Sequence, residues 1–348
     1  MSPLVNLIRD EIVRTGPMPL DRYMELALSH SEYGYYRTRD PLGAQGDFIT
    51  APEVSQMFGE MLGLWLAQVW MDQGAPSPFA LIELGPGRGT LMADVLRATR
   101  KVPGFHESAQ IWLVETSPVL RAACEVALQE TPINWAETLS DVPDLACFLL
   151  ANEFFDALPV RQFQKIGDQW LERCVAIDGD QLAFDLCRPR DAGPHVPSAA
   201  FPDGAILERC RAGEDVATEI GRRLTKSGAA LIIDYGEAEG TGDTVQALRG
   251  HARHPVLQDP GQADITAHVG FDALSRAAKL PAQLDTQGAF LERLGITARA
   301  NQLAGQPGHA EQIIAAHRRL THADEMGKLF KVLGLRAPDA PALPGFDP

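Results

Sequence analysis

The stretch FALIELGPGRGTLMADVLRA, residues 79–98, decides the fold. Its first six residues form an apolar run in which only Glu83 is charged. Gly85-Pro86-Gly87-Arg88-Gly89 follows, and then a helical pattern over 91–98. A strand that is apolar along its whole length has both faces buried, as in a parallel sheet covered by helices. The glycine turn lets backbone come close to a ligand, and the helix start beyond it offers unpaired N–H groups and the positive end of the helix dipole. A tight turn inside a core sheet accounts for the same glycines, so the loop alone leaves both readings open.

The same alternation runs outward. QIWLVE (110–115), a helical pattern over 119–128, INW (133–135) and ACFLLA (146–151) repeat the strand and helix texture. Right-handed crossovers then give a doubly wound α/β domain. After Pro159 three runs read as antiparallel strands, VRQFQKI, WLERCVAI and QLAFDLC, turned by Gly167-Asp168 and Asp178-Gly179-Asp180, and form a β insertion. The α/β rhythm returns with a helix over 214–225, the strand ALIIDYG, and further strands at PAQLDT and LFKVLGL. Upstream, helical patterns over 7–14 and 20–29 flank the Gly16-Pro17 breaker and lead into an aromatic, glycine-rich loop at 31–50. Thr50 and Glu53 read as a capping box for a helix carrying Met57, Phe58, Met61, Leu62 and Trp65 on its packed face.

The expected division is therefore an N-terminal helical region with a lid loop (1–75), the first half of the core (76–160), the β insertion (161–205), the second half with a helical insertion (206–337), and a proline-rich, frayed tail (338–348).

Composition excludes several classes. The 348 residues are 45% hydrophobic, ample for a packed core, with no apolar run near the roughly 18 residues that cross a bilayer. The start, MSPLVNLIRDEIV, has the features of neither a signal peptide nor a transit peptide, so a cytoplasmic location is expected. A net charge of −15 without a basic cluster argues against nucleic acid and for a basic or neutral partner. Five scattered cysteines with no Cys-x-x-Cys read as reduced thiols, and His251 with His254 lacks the companions of a metal site, so no metal is assigned.

An acid at the end of the second strand, Glu115, stands where doubly wound folds grip ribose hydroxyls. Its distance from Gly89, 26 positions, exceeds the roughly 20 of a dinucleotide fingerprint, and the glycines at 85, 87 and 89 miss the G-x-G-x-x-G spacing. Glu83 places negative charge beside the loop, which disfavours a pyrophosphate and favours a cation such as a sulfonium. S-adenosylmethionine is thus preferred to NAD, with Glu83, Gly85, Pro86, Gly87, Gly89 and Glu115 as its candidate binders and Asp47 and Thr50 as lid residues. Helix capping explains Thr50 equally well. ANEFFDALP (151–159) ends the fourth strand, so Asn152, Glu153, Phe154 and Asp156 project into the crevice at the strand ends.

GDFITAPEVSQMFGEMLGLW, LIELGPGRGTLMADVLRA, LVETSP, ANEFFDALPVRQF, LIIDYG, GDTVQALRGH, DITAHVGF and GAFLERLGI, in this order, closely resemble the MidA-like S-adenosylmethionine-dependent methyltransferases. That family includes a mitochondrial complex I assembly factor that methylates arginine. The likeness runs from about residue 33 to 332, and GDFITAPE and ANEFFDALP are its most specific parts. The chain departs from the family pattern at Gly270, where an acid commonly follows TAHV.

The resemblance implies a class I methyltransferase fold with a Rossmann-like sheet of seven strands, the cofactor over the glycine loop, and a protein arginine as acceptor, on a complex I subunit in the mitochondrial relatives. For such an acceptor Glu153 is the expected guanidinium clamp, or a cap for a following helix, and Asp156 a second acid, a brace, or such a cap. Phe154 and its neighbour wall the pocket or fill core. His268 faces the acceptor or is structural. Three readings follow: protein arginine methyltransferase, methyltransferase of another nitrogen nucleophile, and a non-catalytic assembly chaperone on the same fold. The sequence leaves the target, the methylation pattern and the oligomeric state open.

Overall fold

The apolar runs become strands β1 (Phe79–Leu84), β2 (Ala109–Val114), β3 (Ile133–Ala136), β4 (Ala146–Asn152), β5 (Gly228–Glu237), β6 (Ala282–Thr286) and β7 (Phe330–Arg336). They are seen in a computed structural model that describes residues 2–39, 47, 50–129, 131–191, 201–225, 227–305 and 308–347. These seven strands lie in the order β6-β7-β5-β4-β1-β2-β3. The pairs β1–β2, β1–β4, β2–β3 and β4–β5 are parallel. β7 runs antiparallel to both β5 and β6. Strand order reverses on either side of β1, and in open α/β sheets ligands bind beyond the carboxyl ends of the strands at such a switch point.

Burial explains the apolar runs: all six residues of β1 and six of seven in β4 are inside. Phe79 anchors an aromatic cluster, with Phe105 at 5.1 Å, Phe148 at 5.4 Å and Trp70 at 5.8 Å between ring centroids. No helix among the described residues is long and apolar enough to cross a membrane.

Contacts divide the chain into two compact units that interleave along the sequence. One comprises Met1–Phe48, Asp156–Asp215 and Glu237–Ala273; the other, which holds most of the parallel sheet, comprises Ile49–Phe155, Val216–Gly236 and Leu274–Pro348. In the first, helices Pro3–Thr15 and Leu20–Ser29 cover the antiparallel strands Arg161–Ile166, Gln169–Asp178 and Gln181–Cys187. Leu4, Ile8, Tyr23, Met24 and Val175 share its core. The three strands pair in the order read from their turns.

Several short strands were not anticipated. Ile206–Arg209 adds a strand beside Arg161–Ile166, and Gln246–Arg249, Ala252–His254 and Asp264–Thr266 make a small three-stranded sheet.

Three expectations are corrected. Thr50 makes no side-chain cap; the helix it precedes, Ala51–Val54, stops after four residues, and Ser55 Oγ caps the next, Gln56–Asp72, by accepting from Met57 N–H. Glu53 does not reach back to the cap, because its carboxylate accepts from Thr90 Oγ at 2.6 Å. The proline-rich tail is packed rather than frayed: Leu343 and Phe346 are buried, Phe346 meets Phe290 at 5.0 Å, and Pro344 O accepts from Trp65 Nε1 at 3.0 Å.

Candidate cofactor and acceptor site

The turn after β1 is built by its glycines. Gly85, Gly87 and Gly89 all have positive φ, at 63°, 55° and 80°. A Cβ on Gly85 would lie 2.9 Å from the Phe154 ring, and one on Gly89 would lie 2.7 Å from Cys124 Sγ, so these two positions exclude side chains for steric as well as backbone reasons. Gly85 N–H donates to Val114 O and Gly89 N–H to Pro86 O, which closes the turn and leads into the helix Thr90–Thr99.

Glu83 lies one residue from the strand end and is 2% exposed. Its Oε2 has no hydrogen-bond partner among the described residues, and burial pushes its carboxyl up to about 8. A buried acid without a partner calls for a cation or a hydrogen-bond donor.

Glu115 follows the last residue of β2 and is half-buried. Its Oε1 accepts from Thr116 N–H and Ser117 N–H, both at 2.7 Å, which fixes the direction of the carboxylate. Arg121 donates to its carbonyl at 2.7 Å through Nε, and Ser117 Oγ caps the helix Pro118–Ala127 as its sequence suggests.

At the end of β4, Asn152 is the last strand residue, one later than expected, and is 9% exposed. Glu153 adopts φ 50°, a left-handed conformation unusual outside glycine. Its N–H donates to Ile233 O at 2.9 Å, while its Oε1 accepts from Ala51 N–H at 2.8 Å and Asn152 Nδ2 at 3.0 Å. The helix Ala51–Val54 thus receives at its first residue a carboxylate from 102 positions away, in place of the expected Thr50 cap. Phe154 is half-buried against Gly85, and Phe155 is core; the Phe155 N–H donates to the fully buried Asp234.

Two predicted site residues belong to the other unit. Asp47 Oδ2 accepts from Tyr35 Oη at 2.5 Å and its Oδ1 from Gly250 N–H at 2.6 Å, so both oxygens brace that unit. Of the expected lid loop at 31–50, Phe48, Ile49 and residues 40–46 lie outside the described residues. Asp156 is 7% exposed and no helix follows it, which removes the helix-cap reading. Its charge acts on Tyr36 and Asp264. His268 donates its N–H to Thr244 Oγ at 2.8 Å. Gly270 lies against Gly240, where a Cβ would come within 3.1 Å of backbone, so the position taken by an acid in the family pattern has little room here.

Sequence reasoning passed over Tyr36, Asp264 and Asp234. Tyr36 Oη donates to Asp264 Oδ1 at 2.7 Å, and burial together with Asp156 and Asp47 pushes Asp264 up to about 7. Their one signal was membership of the aromatic loop at 31–50 and of the quoted runs DITAHVGF and LIIDYG, where no spacing rule singles them out.

A glycine turn at the switch point of this strand order, with acids at the ends of β1 and β2, defines a methyltransferase of the S-adenosylmethionine-dependent class. The comparisons agree. A family model for S-adenosyl-L-methionine-dependent methyltransferases matches residues 61–290, and the chain belongs to this family, the MidA-like methyltransferases. It is 36% identical to the mouse protein named protein arginine methyltransferase NDUFAF7, mitochondrial, over 96% of this chain and 84% of that one. It is also 36% identical to the fruit fly homologue, over 95% and 84%. A crystal structure of a Burkholderia thailandensis protein bound to S-adenosyl-homocysteine superposes with a TM-score of 0.86 at 28% identity, covering 98% of this chain and 94% of that one.

The cofactor is S-adenosylmethionine. The residues fit it: two glycines that tolerate no side chain, an unpartnered buried acid for its cationic end, and an oriented carboxylate for its ribose. When bound, it supplies an electrophilic methyl group on a positively charged sulfur.

Proposed function

We propose that this methyltransferase acts on arginine side chains of a protein, with a respiratory complex I subunit as target. The observation that carries the reading is the 36% identity, over almost the whole chain, to proteins named as arginine methyltransferases. The chemistry at β4 supports it. A guanidinium is planar, permanently charged and donor-rich, and it needs carboxylate charge and acceptor oxygens to hold one orientation. Asn152 and Glu153 supply both at the strand end beside the glycine turn, and Phe154 adds an aromatic face. The net charge of −15 suits a basic protein surface.

The test is to incubate the protein with methyl-labelled cofactor and bacterial lysate, hydrolyse the labelled proteins, and identify the methylated amino acid. Methylarginine is expected. Label on another residue, or only on small molecules, refutes the reading. Glu153→Gln keeps the shape and removes the charge, and is expected to lower labelling about tenfold or more; equal labelling by both proteins removes Glu153 from the reaction.

A further inference from the structure

Asn152 carries a buried oxygen with nothing to accept from: among the described residues its Oδ1 has no hydrogen-bond partner. The direction of the amide follows from its neighbour. Nδ2 lies 3.0 Å from Glu153 Oε1, and a carboxylate oxygen accepts, so the nitrogen faces Glu153 and the oxygen faces away. Glu153 is itself fixed, by Ala51 N–H on Oε1 and by its own N–H on Ile233 O. Its left-handed backbone persists because these bonds dictate it.

The register shows where this oxygen lies. Leu84 pairs with Ala151, so Asn152 is level with Gly85, the first residue of the glycine turn. Glu83 pairs with Leu150, and side chains alternate along a strand, so Asn152, two residues on, is on the same face of the sheet as Glu83. Two acceptors without partners among the described residues therefore sit at adjoining strand ends, one a carboxyl that a bound cation would ionise and one a neutral amide.

Their chemistry divides the work. The carboxylate matches the cationic end of the cofactor. A neutral amide oxygen adds no net charge, but it fixes the direction of an N–H without taking its proton and so aims a lone pair. Building on the arginine reading, we infer that Asn152 Oδ1 accepts an N–H of the nitrogen being methylated and that Glu153, beside the charge it supplies to the guanidinium, orients this amide through Oε1. As the C–N bond forms and the C–S bond breaks, that nitrogen gives up one proton to water or a nearby acid; Asn152 takes none.

Asn152→Ala is expected to slow labelling of lysate protein at saturating cofactor about 10- to 100-fold, while the calorimetric Kd for S-adenosylmethionine stays within about twofold. A Kd raised tenfold with labelling unchanged would assign Asn152 to the cofactor and overturn the inference. Glu153→Gln keeps an oxygen that accepts from both Ala51 N–H and Asn152 Nδ2, whereas Glu153→Ala removes it, so Glu153→Ala is expected to label at least about tenfold slower than Glu153→Gln. Equal rates for these two variants would refute the orienting role. Melting temperatures report folding separately. If the wild-type label proves to be on a nitrogen other than arginine's, the arginine reading fails, while the Asn152 inference is still judged by these rates.

Discussion

Glu83 offers the sharpest test of the site, because its consequence is visible in stability as well as in binding. Burial raises its carboxyl from 4.5 to about 8. Below pH 4.5 the group is protonated in both folded and unfolded chains. As pH rises, the unfolded chain ionises first while the fold still holds the proton, so stability falls from pH 4.5 until about 8 and then levels. The full cost is at most about 5 kcal/mol, and partial relaxation of the unfolded and folded chains reduces it to about 1–3 kcal/mol. Glu83→Gln abolishes this cost, because the variant cannot ionise. Urea unfolding of both proteins at pH 5 and pH 8.5, without cofactor, gives the difference directly, and every other titrating group cancels between them. The variant is expected to gain on the wild type by that amount between the two pH values. The same variant is expected to bind S-adenosylmethionine about 10- to 100-fold more weakly, through loss of a charged hydrogen bond. Parallel stability curves, within about 0.5 kcal/mol, would refute the buried-acid argument. Unchanged cofactor affinity would remove Glu83 from the cofactor.

Two further outcomes follow. Tyr36→Phe deletes the hydroxyl that donates to Asp264, whose carboxyl is pushed up to about 7, so the loss is expected to be about 1.5–3 kcal/mol at pH 8, where the acid is ionised, and smaller at pH 5; urea midpoints with the reverse ordering would refute it. Phe346→Ala is expected to cost about 3 kcal/mol in thermal or urea unfolding, because the ring is buried against Phe290. A loss below about 1 kcal/mol would return the tail to the surface.

The parallel core was legible because its strands are apolar throughout and its turn is written in glycines, and both patterns are local. The antiparallel hairpins at 161–187 were legible for the same reason, each being closed by an Asp/Gly turn. What escaped depends on residues far apart. The expected capping box at Thr50 and Glu53 follows a sound local rule, but Thr90 engages the Glu53 carboxylate, and Glu153 takes the first helical N–H, that of Ala51. Ile206–Arg209 is only four residues long, and its partner strand lies some forty positions earlier. The tail looked frayed because prolines dominate it, whereas two apolar side chains, Leu343 and Phe346, decide its packing. At the site, the acids and glycines could be named from spacing. Which oxygen of which side chain is already engaged could not, because partners such as Ala51 and Asn152 are set by tertiary contact.

The interleaving of the two units bears on how the chain is made. It crosses from one unit to the other five times, so no single cut releases either as a continuous fragment. β7, made after both of its neighbours, must enter between β5 and β6. Nascent chains therefore carry an open edge on β5 until β7 is made, a long exposure for a strand this apolar. A cell that makes this enzyme in quantity has reason to keep a chaperone close to that edge.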